Sequence, residues 1–451
     1  MIRSGDDLLT LRPNSLYVQV DPAGNILQRM VVKTVLMPHS AWIQARQWHV
    51  DERDPIKKEH MEIEVMEAIA NVEGTHKCVR LRHFTTHDSK FMYCLYTGYH
   101  PRGDLSDLTK HTSRYQGTEN FIPEPVLWKW LEDLTEASLL LSKGAAPPSD
   151  AVEGWKKIVH CDFKPANVFL DNPDAELWRS YPQAVVGDFG LAVFTDEHDP
   201  FNPTWYNAYG IGTAGWRPPE QMMMVHSESQ GLADTGKFGD ASNVWGIGAI
   251  IMRLMNREMN PMQPRYDADV KIRMVPQLFD SAREVYSKYL CDLVDECVRF
   301  RTYYRTELPD LWEKIARYTG KANVEYDPEI DGDDEEFVEA LKQNILEQKY
   351  GEGNDACRLV YAKEKYRIGM AINDQGEQSQ DNQDQDDDNG LGDNSQQGGV
   401  MGLLNELNNG LDMDDEDMYG GALDEELGKE LKYPGGARTL DEDYNTEEDQ
   451  Y

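Results

Sequence analysis

The chain has 451 residues, 40% of them hydrophobic, and 45 Lys and Arg set against 81 Asp and Glu leave a formal net charge of −36. That balance excludes a nucleic-acid binder working through overall positive charge. No apolar run approaches the roughly 18 residues of a membrane-spanning helix, and the opening MIRSGDDLLTLRPNS has no apolar secretion segment, so the chain reads as soluble and intracellular, with no nucleic-acid or membrane partner.

In chain order, residues 8 to 91 alternate short β-rich runs (SLYVQV, RMVVKTV, CVRLRHF, KFMYCLY) with turn signals such as DPAGN, and one helical stretch, IKKEHMEIEVMEAIANV, interrupts them. After Gly103-Asp104 helices dominate. PEPVLWKWLEDLTEASLLL sets Val126, Leu127, Trp130, Leu131, Leu134, Leu140 and Leu141 on one helical stripe. FGDASNVWGIGAIIMRLM is apolar enough through its middle to lie inside the domain, and SAREVYSKYLCDLVDECVRF predicts a further helix. A strand-rich first lobe followed by a helix-rich second lobe is an α+β arrangement.

Residues 319–372 predict a helical extension on the second lobe, DEEFVEALKQNILEQK, with Phe337, Leu341 and Ile345 at i, i+4 and i+8. Its lead-in, Asp327 to Gly332, has the start of a calcium loop, but Val338 stands where the bidentate Glu is needed, so an EF-hand is rejected. Residues 373–451 hold 24 acids and three bases in Gln, Asn, Asp and Gly-rich order, which predicts a disordered acidic tail. Within it Met401, Leu404 and Leu407 share one face of a short helical stretch. A basic protein is the natural partner of such a tail. The six cysteines show no CxxC pair and no Cys/His clustering, which indicates free thiols in a reducing compartment.

The chemistry concentrates in two loops. His160-Cys161-Asp162-Phe163-Lys164-Pro165-Ala166-Asn167 is followed after about twenty residues by Gly187-Asp188-Phe189-Gly190. An Asp can accept a hydroxyl proton, a Lys can neutralise a transferring phosphoryl group, and Asn with a second Asp can hold a divalent metal bridging phosphates. Hard oxygen ligands suit Mg²⁺. Together and in this order, HxDxKPxN and DFG are highly specific.

On these residues the chain resembles the eukaryotic protein kinases across residues 8–318, with a first lobe at 8–104 and a second at 105–318. The resemblance implies a two-lobed kinase-like fold and ATP with Mg²⁺ as cofactors. It implies Asp162 and Lys164 as catalytic residues and Asn167 and Asp188 as metal ligands. Lys33 in Met30-Val31-Val32-Lys33 would contact the phosphates, paired with Glu62 of the following helix in preference to Glu64. Leu95 to His100 would form the hinge, with Thr97 as gatekeeper, the backbone of Gly98 and His100 facing adenine, Val18, Val31 and Phe169 around the base, and Asp104 near the ribose. Met66, Leu81, His160 and Phe189 would form a stack linking the lobes. Gly212 to Glu220 resembles the end of an activation segment, with Glu220 paired to Arg305, and Lys164 two residues after Asp162 implies Ser/Thr hydroxyls of proteins as substrate.

Three departures stand beside the resemblance. Leu11 to Val18 occupies the place of the family's glycine-rich loop and contains no glycine. Cys161 replaces the arginine that grips a phosphorylated activation loop, although Thr195, Thr204, Tyr206 and Tyr209 are available acceptors. Asn243 stands where the family's buried helix carries Asp. The missing glycines leave a second reading, a pseudokinase acting as a binding scaffold.

Overall fold

The structure is a computed structural model that describes residues 14–43, 48–51, 54–72, 76–112, 121–195, 211–222, 237–257, 264–267, 272–321, 335–351 and 366–371. The rejected calcium loop, the candidate acceptors Thr204, Tyr206 and Tyr209, Cys357 and the whole of 373–451 lie outside the described residues.

The first lobe is built on a four-stranded antiparallel sheet in which β1 (Asn14–Val20), β2 (Ile26–Leu36), β5 (Leu81–His87) and β6 (Met92–Thr97) lie in the order β1-β2-β6-β5. The DPAGN turn joins β1 to β2. There Asp21 Oδ1 accepts the amides of Ala23 at 2.9 Å and Asn25 at 2.8 Å, the local bonding that suits Asp to turns. Because Asn14 to Val18 run as strand against Lys33 to Arg29, these residues are not a phosphate-covering loop, and the expectation that placed one there is corrected. Residues 1–13 lie outside the described residues.

A second correction concerns the helix expected from Ile56. Asp54–His60 is a strand (β4) paired with Trp48–Asp51 (β3), and the helix, α2, is Met61–Ala70, the single turn His39–Trp42 before β3 being α1. The helical apolar spacing begins only at Ile63, Val65, Met66 and Ile69, which are buried; the preceding polar residues carry no such stripe and pair as a hairpin instead. His60, at the junction, stacks on Tyr93 and meets Trp42 edge-on and Trp48 at a tilt.

After α3 (Leu105–Thr112), the second lobe is organised around α4 (Glu124–Lys143), which starts behind Pro123 and ends at Gly144 with φ 71°. One apolar stripe is expected here; the structure buries the helix on nearly every side, including Trp128, Lys129, Glu132 and Asp133. The polar faces survive burial because Lys129 pairs with Asp133 at 2.7 Å and Lys77 reaches Asp133 at 2.5 Å. Short hairpin strands lie on one side: β7 (Lys157–Val159) pairs with β10 (Val193–Thr195), and β8 (Val168–Asp171) with β9 (Gln183–Val186). Helix α5 (Asp240–Asn256) packs on both α4 and β7, buried from Ser242 to Asn256 as its composition predicts. A hairpin of β11 (Arg265–Asp267) and β12 (Ile272–Met274) follows.

The helix expected over 281–300 is broken in two, α6 (Asp280–Arg283) and α7 (Lys288–Cys297). Ser287 caps the second by accepting the Leu290 amide, and buried Tyr286 donates its hydroxyl to the Ile122 carbonyl, so the break is fixed from both sides. Helix α8 (Leu308–Tyr318) then packs on α4. The extension helix, α9 (Glu335–Tyr350), also lies on α4, but with a rotated face: Val338, Ile345 and Lys349 are buried, whereas Phe337 is 47% exposed. Residues 366–371 return to the first lobe, where Ile26 N donates to Met370 O at 2.9 Å and Gly369 N to Ile26 O at 2.8 Å. No described helix is long and apolar enough to cross a membrane. Of the six cysteines, the five described are buried free thiols.

Candidate active site

The loop between β7 and β8 holds its own shape. Asn167 N donates to Lys164 O at 3.0 Å, and Asn167 Nδ2 donates both to the Asp162 carbonyl at 2.9 Å and to Asp162 Oδ2 at 3.0 Å. The antiparallel pairing of Val168 with Val186 brings the end of β9 alongside, where Gly187 N donates to Asn167 O at 2.9 Å. Two sequence-distant loops are thereby set side by side by one hairpin ladder. His160, fully buried, joins them: its Nε2 donates to the Gly187 carbonyl at 3.0 Å while its Nδ1 accepts the Asp162 amide at 3.2 Å. That pattern requires the neutral ring, and burial, partly opposed by the Gly187 carbonyl, holds the imidazole below its ordinary value.

Asp188 has φ 58°, a left-handed conformation that costs an L-residue on the order of 1 kcal/mol and turns its carboxylate toward the first lobe. There Lys33 Nζ, on β2, donates to Asp188 Oδ1 at 2.6 Å and to Glu62 Oε1 at 2.8 Å. Burial works against both charges, yet Lys33 more than offsets it at Asp188, whose carboxyl is lowered to about 2. Glu62 and Asp188 in turn hold the Lys33 ammonium above its ordinary value against burial. Glu62 is placed in the first turn of α2, favourable ground for an acid, and its second oxygen accepts the Tyr93 hydroxyl at 2.7 Å.

The Asp162 side of the loop is assembled as well. Lys164 Nζ lies 3.1 Å from Asp162 Oδ2 and donates to Thr213 Oγ1 at 2.8 Å, and the Thr213 amide donates to Asp162 Oδ1 at 2.8 Å. Behind it Glu220 and Arg305, both fully buried, form a bidentate pair at 2.7 Å, with Ser242 Oγ donating to Glu220 at 2.8 Å.

Between the lobes, Val18 pairs with Arg29, and Val31 follows two residues later, so both lie on the sheet face that carries Lys33. Thr97, at the end of β6, pairs with Val31 and leads into Gly98 and His100. The His100 ring stacks on Phe169 with centroids 5.8 Å apart, and its Nδ1 lies 3.2 Å from Asp171 Oδ2. Asp104 is committed to α3: its Oδ1 accepts the amides of Ser106 at 2.7 Å and Asp107 at 3.1 Å, and burial with the nearby Asp107 raises its carboxyl. His160 and Phe189 rings lie 5.2 Å apart, and Met66 is buried in the same core.

Asn167 and Asp188 each carry a hard oxygen of the kind that could bind a small cation. Asn167 uses its amide nitrogen internally, which leaves its oxygen available, and the Asp188 side chain is 44% exposed on the cleft side. Among the described residues no group of three His, Cys, Asp or Glu could hold a metal by protein ligands alone. Two protein oxygens completed by phosphates and water suit a small divalent cation. Reading the sequence missed Tyr93 and Gln221. The signal for Tyr93 was available, since β6 alternation from Leu95, opposite Lys33, puts Tyr93 on the same face.

The family model for the protein kinase domain matches residues 40–314. The chain belongs to the protein kinase family. Relatives of the kinase domain include serine/threonine-protein kinase Nek2 of Mus musculus, 26% identical over 161 residues, covering 36% of this chain and 31% of the relative. The G2-specific protein kinase nim-1 of Neurospora crassa is 24% identical over 223 residues, 46% of this chain and 22% of the relative. Eukaryotic translation initiation factor 2-alpha kinase 1 of Mus musculus is 25% identical over 252 residues, 50% of this chain and 37% of the relative. The chain thus matches well under half the length of these relatives. A kinase domain carries ATP and a divalent metal as its general cofactors.

Proposed function

We propose that the chain is an ATP-dependent protein serine/threonine kinase, with a kinase domain at 8–318, a helical extension to 372 and an acidic segment after it. The reading is carried by one observation: Lys33 is bound at once to Glu62 and to Asp188, the state in which a phosphate-positioning cation and a metal-holding carboxylate serve one cleft. Asp162, held by Thr213 and Asn167, orients the acceptor hydroxyl and takes its proton. Lys164, beside it, offsets charge on the phosphoryl group in transfer. Lys33 places the α- and β-phosphates. Asn167 and Asp188 would hold Mg²⁺, which neutralises charge on the phosphate oxygens when bound. The backbone of Gly98 and His100 would face adenine, with Val18, Val31 and Phe169 around it. Catalysis of this kind is chiefly positioning and electrostatic stabilisation, and Lys33, Asp162, Lys164, Asn167 and Asp188 supply groups suited to both.

The names of the relatives and the Lys164–Thr213 contact support Ser/Thr over Tyr as acceptor. The second reading, a pseudokinase scaffold, is favoured only by the lack of glycine from Leu11 to Val18. A panel of Ser, Thr and Tyr peptides and small alcohols, offered with ATP and Mg²⁺, separates these readings. Transfer to Ser or Thr peptides that is lost in Asp188→Ala supports the kinase; nucleotide binding without transfer to any acceptor supports the scaffold.

A further inference from the structure

Gln221 is a polar side chain only 1% exposed, directly after the Glu220 that is locked to Arg305. Its Nε2 donates to the carbonyls of Cys161 and of Ile211, the latter at 2.9 Å. One primary amide thus spends both its N–H groups on bridging the catalytic loop to the segment that carries Thr213. The surrounding geometry is built for this bridge. Cys161 has φ 60°, an uncommon backbone state for a non-glycine residue, and its buried thiol rests on the Val159 carbonyl. Gly212, next to Ile211, has φ 88°, and a Cβ there would overlap both Gln221 Nε2 and the Cys161 oxygen. Only glycine lets the three groups meet. Arg217 Nε then closes the segment by donating to the Gly212 carbonyl at 2.7 Å. The next residue, Thr213, is the one whose amide and hydroxyl bind Asp162 and Lys164.

We infer that Gln221 is a positioning residue for the acceptor side of the reaction: its carboxamide hangs residues 211–213 from the catalytic loop and so sets Asp162 and Lys164 against the incoming hydroxyl. This rests on the kinase reading for its catalytic consequence, but the bridge itself is a physical contact that can be measured without turnover. The Lys33, Glu62 and Asp188 side of the cleft is held by separate bonds, so Gln221 acts on the acceptor and not on ATP.

The test compares the full chain with Gln221→Met, of similar size but without a donor, and Gln221→Glu, which presents a carboxylate to the two carbonyls. The expected result for Gln221→Met is a fall of roughly tenfold or more in kcat/KM for a Ser/Thr protein acceptor, with the KM for ATP within about twofold of wild type, and amide exchange at Thr213 accelerated by a similar factor. In Gln221→Glu, acceptor turnover relative to wild type should recover as the pH falls and the carboxyl regains a proton to donate. Equal losses toward ATP and acceptor, or unchanged Thr213 exchange, overturn the inference. Should the methionine variant not fold, the pH-dependent recovery of the glutamate variant decides the matter. If wild type transfers no phosphate, the kinase reading fails, while Thr213 exchange still decides the bridge.

Discussion

Asn243 grips the strand that leads into the catalytic loop from both polar ends of its side chain: its Oδ1 accepts the His160 amide at 3.1 Å, and its Nδ2 donates to the Ile158 carbonyl at 3.1 Å. The carboxylate that the family resemblance leads one to expect at this position would supply only acceptors. The amide therefore gives up charge assistance and gains a second bond, on a fully buried stretch of backbone.

Asn243→Leu, close in size, leaves both backbone groups without a partner. Each unmade bond to a buried group costs about 1–3 kcal/mol, so the variant should lose about 2–6 kcal/mol of stability. Urea unfolding monitored by tryptophan fluorescence measures this, and a loss under about 1 kcal/mol would show that the amide is incidental.

Tyr93→Phe removes the hydroxyl that holds Glu62 Oε2, while Lys33 keeps its bond to Oε1. One hydrogen bond to a charged group contributes about 1.5–3 kcal/mol, part of which water can replace in the variant. The KM for ATP should rise several-fold with acceptor KM unchanged, read from steady-state kinetics at varied ATP.

The pH dependence follows from His160. Its folded value lies below the ordinary 6.5 because the ring is buried, so below that pH the unfolded chain binds a proton that the native site refuses. Stability is then lost as pH falls from about 6.5 toward the lowered value, with a slope of up to about 1.4 kcal/mol per pH unit from this one group. Protonation would also set an N–H against the Asp162 amide. Unfolding free energies between pH 5 and 8 should therefore show a steeper acid loss in wild type than in His160→Gln, and parallel curves would refute the assignment.

The extension helix is anchored by charge. Lys349 Nζ lies 3.2 Å from Glu132 Oε2 and donates to the Thr319 carbonyl at 2.5 Å, all within buried surroundings, and the Trp178 amide donates to Lys349 O at 2.7 Å. Lys349→Met leaves Glu132 with a longer ion pair to Lys321, at 3.6 Å, and should cost about 3 kcal/mol, the lower end for a broken buried pair. Adding Glu132→Gln should regain part of that loss. Strictly additive losses in the double variant would show that the pair is not coupled.

How far the sequence could be read depended on where the deciding contact lay. The juxtaposition of Asp162, Lys164 and Asn167 with the Asp188 loop was legible because these residues sit at short, fixed spacings within two loops. Helices α4 and α5 were legible from apolar density. The face of α9 was not, because Phe337 is left outside while Lys349 goes inside to meet Glu132, a residue 217 positions away. The break before Ser287 likewise depends on Tyr286 reaching Ile122. The strand at 54–60 reads as a continuation of α2 until its pairing with Trp48–Asp51 is seen. Gln221 gave no signal, since a lone glutamine becomes meaningful only when two carbonyls converge on it.

The most direct test of the account is transfer of labelled γ-phosphate from ATP, with Mg²⁺, to a Ser/Thr protein acceptor by wild type and by Asp162→Asn. The two differ by one atom type at the proposed proton acceptor. The account predicts transfer by wild type and a rate at least about 100-fold lower in the variant, with nucleotide binding retained in a chain that still folds. Equal rates, or no transfer by a folded wild-type chain that binds ATP, would contradict it.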